Sequence, residues 1–84
     1  PQKIRVNAIS PGPMKTLSGA AIGGARKTFR FTEANAPLRA NATKASIGGT
    51  AVYLASDYGE CTTGETIMVD GGLHILGLPQ PENF

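Results

Sequence analysis

Apolar positions fall into short clusters separated by proline and glycine, and their period changes along the chain. The run Ile4-Arg5-Val6-Asn7-Ala8-Ile9 carries β-branched side chains at 4, 6 and 9 and stops at Ser10-Pro11-Gly12-Pro13. That combination predicts a strand over 4–9, closed where proline can no longer donate a ladder hydrogen bond. From Val6 to Ile9 only Asn7 interrupts the apolar character, which suits a parallel strand covered on both faces. Residues 14–36 hold weaker signals. Leu17, Ala20, Ala21 and Ile22 have near-helical spacing, Gly23-Gly24 breaks it, and 25–35 predicts a further helix anchored by Phe29 and Phe31. Pro37 closes the stretch, because the residue before a proline is pushed out of the α region. Thr43 offers an N-cap for a helix over 43–56 with Ile47, Ala51, Val52, Leu54 and Ala55 as its apolar face. Gly48 and Gly49 each weaken such a helix by about 1 kcal/mol relative to alanine, so close packing is expected there in compensation. A loop over 58–64 leads into a second strand at 65–70, ended by Gly71-Gly72. The segment 77–84, with Pro79 and Pro81, reads as a loosely ordered tail.

Strand, helices and strand in this order imply an α/β fold with a parallel sheet built by crossover connections. Two strands do not complete such a sheet. The remaining strands are expected from an N-terminal portion missing from this chain, from another chain, or from both. With 84 residues, a single small domain would bury only about 60–65 % of its unfolded surface and would be marginal alone.

Composition narrows the function classes. The formal charge is +2, and the basic residues are dispersed apart from Arg26, Lys27 and Arg30. Nucleic acid is therefore not an expected partner; this cluster is either a solvated helix face or a contact for an acidic partner. No apolar run approaches the roughly 18 residues of a membrane span. The chain opens Pro1-Gln2-Lys3, without a charged-then-apolar leader, so a secretory precursor is not expected. The single Cys61 forms no internal disulfide and has no cationic neighbour to activate it, and no Cys/His set has metal spacing. A cytoplasmic setting fits.

Two motifs carry a resemblance. Ile4-Arg5-Val6-Asn7-Ala8-Ile9-Ser10-Pro11-Gly12-Pro13 resembles the sixth strand and following turn of short-chain dehydrogenases. Tyr53-Leu54-Ala55-Ser56-Asp57, Thr63-Gly64-Glu65-Thr66 and Val69-Asp70-Gly71-Gly72 resemble that superfamily's last helix and last strand. Order and separation also agree, and together with what lies between them the motifs cover nearly the whole chain except the tail. Between them, Gly12-Pro13-Met14-Lys15-Thr16-Leu17 and Pro37-Leu38-Arg39-Ala40-Asn41-Ala42-Thr43 are similar to the enoyl-acyl-carrier-protein reductases. Their corresponding segments run Gly-Pro-Ile-Arg/Lys-Thr-Leu and Pro-Leu/Ile-Arg-Arg-Thr-Val-Thr. The chain departs from that pattern in three places. Ser10-Pro11-Gly12 replaces Ser-Ala-Gly, Gly24-Ala25 stand where Asp-Phe is common, and Lys44-Ala45-Ser46 replace acidic residues at a helix start, where the dipole favours them.

The resemblance implies the C-terminal part of a Rossmann-like doubly wound parallel sheet: strand, helical substrate lid over 14–36, helix, strand. It implies an NADH-dependent reduction of the double bond of an enoyl thioester on acyl carrier protein, within fatty acid biosynthesis, by a cytoplasmic homotetramer. Gly12, Pro13 and Met14 would meet the nicotinamide, and the Thr16 hydroxyl would lie near the pyrophosphate. Residues alone support the first part: a stiff turn at the C-terminal edge of a parallel strand reaches the crevice where α/β sheets bind ligands. Thr16 also reads as a helix N-cap. Leu17, Ile22 and Phe29 read either as lid contacts to an acyl chain or as the lid's own small core.

No catalytic residue is expected within these 84 positions. Tyr53 and Tyr58 do not precede a lysine at the superfamily's spacing, and no glycine-rich phosphate loop is present. His74 reads as packing, with no carboxylate spaced to pair with it, and Asp70 as a cap on backbone amides. The competing assignments are another reductase of the superfamily, such as a ketoacyl reductase, and a non-catalytic interaction module.

Overall fold

A computed structural model describes residues 2–14 and 25–83. Two strands, β1 (Ala8–Pro11) and β2 (Thr66–Val69), pair in parallel. Two helices lie between them in sequence, α1 (Ala25–Asn35) and α2 (Lys44–Ala55), and single 3₁₀ turns follow at Asp57–Gly59, Leu73–Ile75 and Pro81–Asn83. The register sets Ala8 opposite Thr66 and Pro11 opposite Val69.

The first strand is shifted from the expected 4–9, and the shift has two causes. Upstream, side chains replace the ladder. Asn7 Nδ2 donates to the Thr62 carbonyl at 3.0 Å and its Oδ1 accepts from Glu65 N–H at 3.0 Å. Arg5 donates to the carbonyls of Leu54 and Thr62 at 2.6 and 3.1 Å, tying the end of α2 to the loop before β2. Downstream, Pro11 continues the strand because its missing N–H lies out of phase. The amides that donate towards β2 include Ala8, to Glu65, and Gly12, to Val69. With a two-residue period, position 11 faces the other way. The second strand is likewise shorter than the expected 65–70.

Thr43 caps α2 through a reciprocal pair. Its hydroxyl accepts from Ser46 N–H at 3.0 Å, and the Ser46 hydroxyl accepts from Thr43 N–H at 2.9 Å. Ile47, Thr50 and Leu54, at helical spacing, are half-buried, whereas Val52 is exposed, so Val52 leaves the expected apolar face. The expected close packing at Gly48 and Gly49 is not found within this chain: a Cβ at either would meet no atom within 4 Å. In α1 the inward positions are Phe29, Thr32 and Asn35, with Ala36 just beyond its end, and Phe31 is exposed rather than an anchor.

Among the described residues, Ala36 is the one buried hydrophobic residue, while Ile4, Val6, Val52 and Leu78 are each more than two-thirds exposed. The radius of gyration, 15.2 Å, exceeds the roughly 12 Å of a compact chain of this length. An open cleft of about 440 Å³ between β1 and α2 is lined by Arg5, Asn7, Ile9, Ala51, Leu54 and Ala55. None of the described helices is long and apolar enough to cross a membrane.

Candidate nicotinamide-contact turn

The parallel pairing brings the C-terminal ends of both strands side by side. Gly12 N–H donates to the Val69 carbonyl at 3.0 Å, so the turn after β1 lies against the turn after β2. A Cβ at Gly12 would stand 3.2 Å from Asp70 Cβ and 3.3 Å from Asp70 Cα, so glycine permits this approach. Gly12, Pro13 and Met14 are half-buried.

The second turn is braced in its own right. Asp70, 7 % exposed, accepts from Gly72 N–H at 3.0 Å and from His74 N–H at 3.2 Å. The His74 ring comes to 3.0 Å of both carboxylate oxygens through Nδ1. An ionised carboxylate only accepts, so these contacts place the proton on Nδ1. Burial pushes the Asp70 carboxyl up. The His74 ring and the backbone N–H groups of Gly72 and His74 outweigh it and hold the group below its ordinary value of 3.8. Asp70 does cap backbone amides; the expectation that His74 lacks a carboxylate is corrected.

Behind this turn sits the segment leaving α1. Gly71 has φ +68, and a Cβ there would strike the Ala40 carbonyl oxygen. The Gly71 carbonyl accepts from Leu38 N–H at 3.0 Å. Arg39, itself at φ 51, turns its guanidinium back onto the Ala36 and Asn35 carbonyls at 2.6 and 3.3 Å, closing the end of α1. Three layers thus stack: the turn over 11–14, the turn over 70–72 and the segment over 37–40.

The family model described as enoyl-(acyl carrier protein) reductase matches residues 1–74. The chain belongs to that family. The enoyl-[acyl-carrier-protein] reductase [NADH] of Bacillus cereus is 51 % identical over 74 residues, covering 88 % of this chain and 29 % of the relative. The NADPH enzyme of Staphylococcus aureus is 46 % identical over 76 residues, covering 90 % of this chain and 30 % of the relative. Among solved structures, the reductase of Anaplasma phagocytophilum in complex with NAD superposes with a TM-score of 0.85 at 47 % identity, over 93 % of this chain and 30 % of that one. The Bacillus cereus reductase with NADP+ and an indole naphthyridinone gives 0.82 at 52 % identity, over 89 % of this chain and 29 % of that one. The chain thus spans about 30 % of the length of these relatives, and its α/β architecture is theirs.

Within this chain, Gly12, Pro13 and Met14 are contiguous at the braced turn. Phe29 lies on α1, half-buried, its carbonyl accepting from Asn41 Nδ2 at 3.0 Å. Thr16, Leu17 and Ile22 lie outside the described residues, as does the first of the two helices expected within 14–36. Among the described residues none hydrogen-bonds to the Met14 main chain, and a backbone N–H and C=O are the kind of groups that pair with a planar amide. Sequence reasoning missed the Asp70–His74 pair, the Arg5 clamp and the burial of Asn35.

Proposed function

We propose that this chain is the C-terminal portion of an enoyl-acyl-carrier-protein reductase of fatty acid biosynthesis, using NADH on acyl-carrier-bound enoyl thioesters. The observation that carries the proposal is the braced turn at residues 12–14. Met14 would hold the nicotinamide carboxamide through its main chain, with Gly12 and Pro13 forming the wall beside it. Bound reduced nicotinamide supplies a hydride to the double bond. The chain's own part is to bind and orient, because a ring held at near-attack distance removes much of the entropic barrier.

Thr16 extends the contact towards the pyrophosphate, and residues 14–36 with Leu17, Ile22 and Phe29 cover the acyl chain and exclude water. Tyrosine and lysine for the proton chemistry belong to the N-terminal portion of the same protein. The active protein is a cytoplasmic homotetramer, with α2 and β2 at a two-fold interface.

Turnover by the complete reductase tests this. Crotonyl thioester should be reduced with NADH and acetoacetyl thioester should not; reduction of acetoacetyl thioester alone would replace the proposal with a ketoacyl reductase. Running NADPH in parallel decides the reductant, since the relatives include both kinds.

A further inference from the structure

Asn35 ends α1 and is 1 % exposed, although its side chain is a polar amide. Such a group is stable inside only when hydrogen-bonded. Its Nδ2 donates to the Phe31 carbonyl, one turn back, at 2.9 Å. Its Oδ1 accepts from the backbone N–H of Gln80 at 2.6 Å, across 45 positions of chain. Thr32, buried on the same helix, directs its hydroxyl to the Thr28 carbonyl at 3.1 Å.

The segment that supplies the donor is suited to the task. Pro79 and Gln80 are half-buried, between an exposed Leu78 and exposed Pro81 and Glu82. Prolines at 79 and 81 narrow the backbone choices on both sides of residue 80, so its N–H is presented with little further loss of freedom. The segment expected to be a loose tail touches α1 at a specific atom.

We infer that Asn35 is a positioning residue. It ties residues 78–82 to the C-terminal end of α1 as a strap, and through the helix it sets the affinity for the acyl substrate. This rests on the proposed role of α1 in the substrate lid. Phe29 lies six residues before Asn35, about 9 Å along a rigid helix. Fixing that end therefore restricts where Phe29 can stand.

Gln80→Pro in the complete reductase removes the donating N–H and leaves the rest of the tail. Gln80→Ala keeps the N–H and serves as the rescue control, and deletion of residues 78–84 removes the strap altogether. Hydrogen exchange over 25–35 is read without substrate, and KM is read separately for enoyl thioester and dinucleotide. Gln80→Pro and the deletion should speed exchange over 25–35 by about 2- to 10-fold, the effect of one lost hydrogen bond. They should raise the enoyl-thioester KM by a similar factor and leave the dinucleotide KM unchanged, with Gln80→Ala like the parent. Unchanged exchange in both Gln80→Pro and the deletion overturns the strap. Faster exchange with an unchanged enoyl-thioester KM overturns the positioning role and counts against α1 as part of the lid. A parent protein that does not reduce enoyl thioesters defeats the proposed function and the positioning role with it, while the exchange result still decides the strap.

Discussion

Asp70 and His74 face each other across a two-glycine turn, with the ring Nδ1 3.0 Å from each carboxylate oxygen. The same carboxylate receives two backbone N–H groups, and its Cα and Cβ form the wall against Gly12. One side chain therefore holds the turn after β2 and backs the turn after β1.

Asp70→Asn should destabilise the complete reductase by about 1.5–3 kcal/mol at pH 7, the usual worth of hydrogen bonds to a charged group. The sign with pH follows from the lowered Asp70 pKa. Stability from a depressed carboxylate is fully present above its unfolded value, and is lost as pH falls through the folded one. The gap between parent and Asp70→Asn should thus shrink as pH falls below 3.8. Denaturant unfolding across that range measures it, and a gap that widens on acidification would contradict the assignment.

Gly71→Ala should be worse than Gly64→Ala. Both glycines have positive φ, +68 and +74, but a Cβ at 71 strikes the Ala40 carbonyl while one at 64 meets open space. Gly64→Ala carries only the left-handed penalty of about 1–2 kcal/mol. Gly71→Ala adds backbone displacement of roughly 1–3 kcal/mol. Thermal melts of the two variants should rank accordingly; equal shifts would mean that the close packing of 70–72 on 37–40 does not persist in solution.

Gly48→Leu tests the interface. Within its own chain the new side chain meets nothing at its Cβ, and an exposed Gly→Leu change should favour the helix by up to about 1 kcal/mol. If α2 lies at a two-fold contact, the same leucine overpacks it and weakens assembly. Sedimentation velocity of the full-length variant should show dissociation at concentrations where the parent stays assembled as the proposed tetramer. A tetramer equally resistant to dilution would remove α2 from the interface.

The isolated 84-residue chain should show no reductase activity and no micromolar dinucleotide affinity. Ala36 alone among its described hydrophobic residues is buried, and large hydrophobic side chains such as Ile4, Val6 and Val52 are left to water. Calorimetric titration with NADH checks this; a saturable micromolar isotherm would show that the turn at 12–14 forms and binds without the rest of the sheet.

Much of this was legible in the sequence where the physics is local. Thr43 and Ser46 cap a helix because a hydroxyl three residues from an amide reaches it whatever surrounds them. Gly71-Gly72 announces a turn because both adopt positive φ at no steric penalty. That there are two strands, with a turn after the first, follows from β-branching and proline, although the first strand lies at 8–11 rather than 4–9. Tertiary structure alone decided the rest. Pro11 belongs to the ladder only because the register puts its nitrogen on the far side. Asp70 and His74 share a spacing of four, but outside a helix that spacing implies no contact, and it took the folded Gly71-Gly72 turn to bring them together. Asn35 is buried because Gln80 arrives from 45 residues away, and Arg5 reaches Thr62 across 57. Hydrogen bonds within one turn depend on residue type, whereas bonds across such separations exist only after the chain has closed, and closure depends on every other contact in the fold.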